Sequence, residues 1–223
     1  MYERISEENF LKTGILFDLD GTLLSTLEDL TDAVNYTMEY YGCPTHTIEA
    51  VRTFVGYGAE KLIRSALPGR DTDPSVSEAL ATYQAYYATH SKIKTRPYDG
   101  ILEALAEIAK EFPIAVVSNK PDIATKPLCR EYFGEGIFAL GESSACPRKP
   151  APDMVYQAMK AIGVEKCIYV GDSEVDVLTA KNAGVPCLSV LWGFRDKACL
   201  AEHGATHFCD DPKKMLTALK EMV

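Results

Sequence analysis

Long apolar runs are missing from this 223-residue chain. The longest candidates, such as Ile114 to Val117 and Ile15 to Phe17, fall far short of the roughly 20 residues a membrane-spanning helix needs. No membrane partner is expected. Basic clusters are missing too, and 23 basic residues against 32 acidic ones leave a net charge of −9. That field opposes a polyanion, so no nucleic acid is expected either. Met1 to Asn9 lacks the apolar stretch and small-residue cleavage site of a signal peptide, which makes the cytoplasm the expected compartment. The seven cysteines (Cys43, Cys129, Cys146, Cys167, Cys187, Cys199 and Cys209) include no Cys-x-x-Cys pair. Their odd number and scattered spacing predict reduced, mostly buried thiols rather than a disulfide framework or a zinc site. None of the four histidines, His46, His90, His203 and His207, stands with a Ser or Cys in a triad-like setting, so they receive no catalytic role.

What is present is ordinary globular composition, 47% apolar and 25% charged, in a chain long enough for one large domain or a core with a small insertion. Short apolar runs at Gly14 to Asp18, Ile114 to Ser118, Ile137 to Leu140, Cys167 to Gly171, Cys187 to Leu191 and Thr206 to Cys209 read as buried parallel strands. Helical periodicity falls between them, at Gly100 to Lys110 behind an Asp99 cap, Pro121 to Tyr132, Pro152 to Ile162, Glu174 to Ala183, and from Pro212 onward. This alternation predicts an α/β fold, a doubly wound parallel sheet with a Rossmann-like core. One interval breaks it. From Leu24 to about Lys94 only helical patterns occur: Ser25 to Tyr41 behind a Ser25-x-x-Glu28 capping box, Glu60 to Leu67, and Pro74 to His90. The expected organisation is a catalytic core of residues 1–23 and 95–223 carrying a helical cap of residues 24–94. Its hinges fall near Leu23 to Ser25 and Thr95 to Tyr98.

The chemistry gathers at strand ends, where open α/β sheets place their ligands. Asp18-Leu19-Asp20-Gly21-Thr22 follows the first strand, and Gly171-Asp172-Ser173-Glu174-Val175-Asp176 follows another. A helix starting at Ser173, loosely capped by Asp172, carries Asp176 one turn on and lets both carboxylates face one pocket. Carboxylates about 4 Å apart repel by ~4 kcal/mol at an effective dielectric of 20, so several in one cleft must protonate or hold a cation. An all-oxygen donor set without His or Cys favours Mg²⁺ completed by a substrate phosphate. Further strand ends offer partners for that phosphate. Ser118-Asn119-Lys120 supplies a hydroxyl and turn N–H groups, and Arg148-Lys149-Pro150-Ala151-Pro152 supplies a cation between prolines.

In this order the four segments resemble the motifs of the haloacid dehalogenase superfamily of phosphotransferases. The resemblance covers the whole chain, and its nearest branch is the phosphoglycolate phosphatase-like one. Arg52-x-x-Val55-Gly56-Tyr57-Gly58-Ala59 and Arg96-Pro97-Tyr98-Asp99-Gly100 look like that branch too. The resemblance implies that Asp18 attacks phosphorus and forms an aspartyl-phosphate. Asp20 would protonate the leaving oxygen and then deprotonate the attacking water. Asp18, the Asp20 backbone carbonyl and Asp172 would hold Mg²⁺. Ser118, Asn119 and Lys149 would bind the phosphoryl group, with Asp176 and Thr22 in support. The family commonly has an acid where Ser25 stands here; Ser25 can still cap the first cap helix, so a changed hinge contact is expected. Leu27, Asp29 and Leu30 occupy the stretch where the superfamily's sugar-phosphate mutases carry a His, which disfavours a mutase.

Specificity is expected from the cap, which closes over the site and excludes water. Gly56 and Gly58 could approach the substrate through their backbone. Arg52, Lys61 and Arg64 are the candidates to meet a substrate carboxylate. Tyr83, Tyr86 and Tyr87 lie at helical spacing and read as packing, and Trp192-Gly193-Phe194-Arg195 reads as core packing rather than a brace for the site rim. The expected activity is Mg²⁺-dependent hydrolysis of a small phosphorylated metabolite, phosphoglycolate first, by a monomer or homodimer. A pyrophosphatase or a broad sugar- or nucleotide-phosphate phosphatase is the alternative. A non-catalytic module phosphorylated on Asp18 is a further one, against which Asp20 and the cap argue.

Overall fold

The computed structural model describes residues 13–67, 69 and 74–223. Met1 to Asn9, read above for a signal peptide, lies outside them. Six parallel strands form the main sheet: β1 (Thr13–Phe17), β4 (Ile114–Pro121), β5 (Phe138–Glu142), β6 (Lys166–Gly171), β7 (Cys187–Val190) and β8 (His207–Cys209). Their spatial order is β5-β4-β1-β6-β7-β8. β1 is hydrogen-bonded to β4 on one side and β6 on the other. The chain reverses its direction of progress across the sheet at β1, and a crevice opens there at the strands' carboxyl ends.

Both faces of the sheet are covered, which is why its strands are apolar without alternation. Ile15, Phe17, Val116, Ile168 and Val170 share one cluster with Ile101, Leu105 and Ile108 of α5 (Ile101–Ile108), Leu128 of α6 (Asp122–Phe133) and Met215 of α10 (Met215–Lys220). Leu16, Ala115, Val117, Cys167 and Tyr169 face the other way. They pack on Met154, Val155 and Ala158 of α7 (Asp153–Ile162) and Ala180 of α8 (Glu174–Ala183). All seven cysteines are free. Burial pushes the thiols of Cys129 and Cys167 up to about 12, which leaves them inert at neutral pH.

Between β1 and β4 lies a block of four helices, α1 (Leu27–Tyr40), α2 (Ile48–Phe54), α3 (Ala59–Ala66) and α4 (Pro74–His90). It has its own core around Val34, Met38, Val51, Ile63 and Tyr83. Phe194, from the segment after β7, is buried in that same cluster. Two short strands link the block to the sheet, β2 (Leu24–Ser25) antiparallel to β3 (Arg96–Pro97). Asp29 braces this crossing from inside the first turn of α1. It is buried and accepts bonds from the backbone N–H groups of Lys94 and Thr95 at 2.8–3.1 Å.

Several local expectations are corrected. The Ser25-x-x-Glu28 box does not form: Thr26 is the N-cap without a side-chain bond, Ser25 lies in β2, and Glu28 pairs with Arg96 at 3.1 Å. Asp99 does not cap α5, whose N-cap is Gly100 at φ +84°. Two short helices escaped the periodicity: α2 with a single buried residue, Val51, and α9 (Lys197–Glu202) with Leu200. Their caps carry the signal instead, since Thr47 accepts from Ala50 N–H and Asp196 from Cys199 N–H. The carboxy-terminal helix begins as a 3₁₀ turn at Pro212–Lys214 before α10.

Candidate active site

β1, β4 and β6 are neighbours, so the motifs that end them converge. Asp18 continues β1 by donating its N–H to Val170 O at 2.9 Å. Its Oδ1 accepts from Leu19 N–H at 2.7 Å and from Lys149 Nζ at 2.9 Å. The chain then turns sharply, Leu23 and Leu24 both donating to Leu19 O. Gly21 occupies that turn at φ +90°, and a Cβ there would lie 2.7 Å from Asp172 Cγ. Only glycine lets the β1 turn and the β6 carboxylate approach this closely. Thr22 Oγ1 donates to Asp172 Oδ1 at 2.8 Å, and Phe194 N–H donates to Asp172 Oδ2 at 2.7 Å. Trp192 Nε1 donates to Thr22 O at 2.9 Å. The Trp192–Arg195 segment therefore braces the site rim, contrary to the plain packing expected of it.

The cap of α8 is Ser173 rather than Asp172, in a capping box with Asp176. Asp176 Oδ2 accepts from Ser173 N–H and Oγ at 3.1 and 2.6 Å, and Oδ1 from Lys149 Nζ at 2.8 Å. Lys149 is 2% exposed and spends its three donors on Asp18, Asp176 and the Tyr169 hydroxyl at 3.0 Å. Asn119 holds the Lys149 backbone at both ends, accepting its N–H at 2.7 Å and donating to its carbonyl at 2.9 Å. Ser118 is buried, and its Oγ accepts from Lys120 N–H at 3.1 Å.

Asp18, Asp172 and Asp176 each present a carboxylate oxygen within 4.8 Å of the others. Three buried carboxylates against one ammonium leave the cluster short of positive charge. Burial first, then Asp176, with Lys149 opposing and Asp172 adding, hold the Asp18 carboxyl well above its usual range. Burial and Asp176 push Asp172 up to about 7 against the pull of Phe194 N–H and Thr22. Burial opposes the charge on Lys149, but Asp176 and Asp18 outweigh it and keep that ammonium well above the ordinary lysine range. A buried, all-oxygen, electron-rich triad of this kind fits a hard divalent cation.

Asp20 stands apart from the triad. Its Oδ1 accepts from Lys120 Nζ at 2.8 Å, and the same ammonium donates to the Tyr87 hydroxyl of α4 at 2.9 Å. A cavity of about 330 Å³ opens over these groups between the strand ends and the helical block. Asp18, Asp20, Ser118, Asn119 and Lys149 all line it, as do Gly56 and Gly58. Arg52, Lys61 and Arg64 do not: Arg52 and Lys61 are exposed, and Arg64 pairs with Glu60 at 3.2 Å. The tyrosines read as packing divide, for Tyr83 and Tyr87 line the cavity, their rings stacked 5.5 Å apart, whereas Tyr86 does not.

The helical block is fastened over the cavity through its backbone carbonyls. Arg195, paired with Glu174 at 2.7 Å, donates to Arg52 O and Val55 O at 2.8 and 2.9 Å. Asn119 Nδ2 donates to Gly56 O at 3.1 Å and Arg148 to Tyr57 O at 3.2 Å. Sequence reasoning missed Arg195 and Glu174 because a carbonyl acceptor leaves no side-chain signature. It also gave Lys120 no role, whereas in the structure Lys120 lines the cavity together with Ser118.

The model of the family described as haloacid dehalogenase-like hydrolase matches residues 15–190, a span that includes the ends of β1, β4 and β6. The chain belongs to this family. The haloacid dehalogenase-like hydrolase described here is 34% identical over 215 residues to "Phosphoglycolate phosphatase 1" of Pseudomonas aeruginosa, covering 91% of this chain and 78% of that one. It is 31% identical over 220 residues to the phosphoglycolate phosphatase of Colwellia psychrerythraea, covering 94% and 97%. A crystal structure from Lactobacillus delbrueckii subsp. bulgaricus, assigned as a phosphoglycolate phosphatase, superposes with a TM-score of 0.88 at 38% identity, covering 93% and 98%. The chain is a phosphatase, a phosphoric monoester hydrolase, with the α/β sheet of its family. No helix among the described residues is long and apolar enough to cross a membrane.

Proposed function

We propose that this phosphatase hydrolyses phosphoglycolate through a phospho-Asp18 intermediate, with Mg²⁺ as its metal. The observation that carries the reading is Asp18 itself: buried at the cavity, with Oδ1 pinned by Leu19 N–H and Lys149 and Oδ2 without a partner among the described residues. The relatives' names supply the substrate. Asp18 Oδ2 forms a bond to phosphorus as the bond from phosphorus to the leaving oxygen breaks, and Asp20 gives that oxygen its proton. Water then attacks phosphorus, Asp20 takes its proton, and the bond to Asp18 breaks to release inorganic phosphate. Ser118 and the Asn119 backbone hold the phosphoryl oxygens, and Lys149 offsets their charge.

Asp18, Asp172 and the Asp20 backbone carbonyl would hold the metal, while Asp176 stays bound to Lys149 and Ser173. Bound Mg²⁺ supplies charge neutralisation for the phosphoryl group. Thr22 orients Asp172, and Asp176 orients Lys149. Residues 24–94 act as a cap on the core of residues 1–23 and 95–223, hinged at β2 and β3. The enzyme acts in the cytoplasm as a monomer or homodimer. Phosphate release from phosphoglycolate, pyrophosphate, sugar phosphates and nucleotides, with Mg²⁺ and with EDTA, tests the reading. A dominant, Mg²⁺-dependent release from phosphoglycolate is expected. Equal rates across the panel, or a dominant second substrate, would overturn the substrate, and release unaffected by EDTA would overturn the metal.

A further inference from the structure

Phosphoglycolate carries a carboxylate on its leaving group, and much of the cavity wall is apolar: Leu30, Leu62, Ala88, Ile123 and Phe194. A carboxylate buried against such a wall without a cation is strongly disfavoured. The three cations expected to meet it, Arg52, Lys61 and Arg64, are not among the lining residues. The lining contains two ammonium groups, Lys149 and Lys120. Lys149 has no donor left, since Asp18, Asp176 and Tyr169 take all three. Lys120 gives two, to Asp20 and Tyr87, and its third N–H has no partner among the described residues.

We propose that Lys120, closed upon by Tyr87 of the cap, is the residue that receives the leaving group's carboxylate and so selects the substrate. The proposal rests on the phosphoglycolate reading above. Its geometry follows from Asp20, which protonates the leaving oxygen. In glycolate one methylene separates that oxygen from the carboxyl carbon, so a cation 2.8 Å from Asp20 Oδ1 lies within reach of the carboxylate. The Tyr87 hydroxyl, 2.9 Å from Lys120, accepts that ammonium's hydrogen and keeps its own to donate to the same carboxylate. Lys120 sits on the strand that carries Ser118, and Tyr87 on α4 of the helical block. The pair therefore completes a carboxylate site only with the block against the sheet. Specificity in this account is set by a core lysine and confirmed by the cap, rather than by cap cations.

The test compares phosphoglycolate with ethyl phosphate, which keeps the leaving oxygen and two carbons but has no carboxylate. In the Mg²⁺-loaded wild type, kcat/KM is expected to favour phosphoglycolate. In Lys120→Gln both substrates slow, because Asp20 loses its partner, but the preference falls a further 10- to 100-fold, roughly the worth of a charge-assisted hydrogen bond, carried by KM for phosphoglycolate. Lys120→Arg restores part of the preference. Equal losses on both substrates, or a preference that Lys120→Gln leaves intact, would overturn the Lys120 assignment alone. A wild type with no preference for phosphoglycolate would overturn the substrate reading and this proposal together. Should Lys120→Gln melt far below the wild type, the Lys120→Arg preference decides: wild-type or partial preference supports the assignment, and none overturns it.

Discussion

Lys149 and Lys120 are both buried ammoniums lining one cavity, and they differ in what holds them. Lys149 is enclosed by core groups, with Asp18, Asp176 and Tyr169 using every donor it has. Lys120 is divided between the core and the helical block, with Asp20 on one side and Tyr87 on the other. A cation whose partners all belong to the core suits a step that every substrate shares, the proposed transfer of the phosphoryl group. A cation that needs a second body to complete its surroundings can respond to what lies between the two bodies. In the proposed reading the residues at the sheet carry the chemistry, and the interface with the helical block carries the choice of leaving group.

The largest effect that would break this contrast is at Lys149. Lys149→Met should lower kcat roughly 10²- to 10³-fold on every substrate tried, because the positive charge beside Asp18 that offsets the phosphoryl group is lost. A change in preference between phosphoglycolate and ethyl phosphate in that variant would erase the distinction between the two lysines. Next in size is Asp172→Ala, which should raise the Mg²⁺ concentration for half-maximal activity at least tenfold; an unchanged metal titration would remove Asp172 from the metal site. Arg195→Met removes the bonds to Arg52 O and Val55 O. It should raise KM for phosphoglycolate about 3- to 10-fold with little change in kcat, the loss of one or two hydrogen bonds that hold the helical block over the cavity. Steady-state kinetics that show kcat falling and KM unchanged would contradict a closing role. Tyr87→Phe should lower the preference for phosphoglycolate by about 2- to 10-fold, less than Lys120→Gln.

The smallest effect concerns pH. Asp172 is pushed up to about 7 from an ordinary 3.8. Between those values the folded chain binds more protons than the unfolded one, so this group's contribution to stability falls as pH rises and is level above about pH 7. In EDTA, the melting temperature of Asp172→Asn minus that of the wild type should therefore grow from pH 4 to pH 7. A difference that shrinks over that range would reverse the sign assigned to Asp172.

Much of the sheet was legible because both of its faces are buried, and runs such as Ile114 to Val117 stand out without alternation. The residues that gather at the site were legible where one short segment holds both a strand end and its reactive group, as in Asp18 to Thr22 and Gly171 to Asp176. Contacts between distant segments were not. Asp29 reads as an ordinary acid in a first helical turn, yet it is buried against the backbone of Lys94 and Thr95. Arg195 finds carbonyls, which every residue has. Ser25 and Glu28 match a capping box by spacing, but β2 holds Ser25 and Arg96 takes Glu28. Lys120 was hidden by its neighbours, since Ser-Asn-Lys after a strand is also what a common turn looks like.

The direct test of Asp18 as the nucleophile is the stereochemical course at phosphorus, followed with an oxygen-isotope-chiral thiophosphate ester of glycolate and read in the released thiophosphate. Transfer to Asp18 and then to water is two in-line displacements, so the account predicts net retention. Inversion would mean that water attacks the substrate directly, and phospho-Asp18 would not lie on the path.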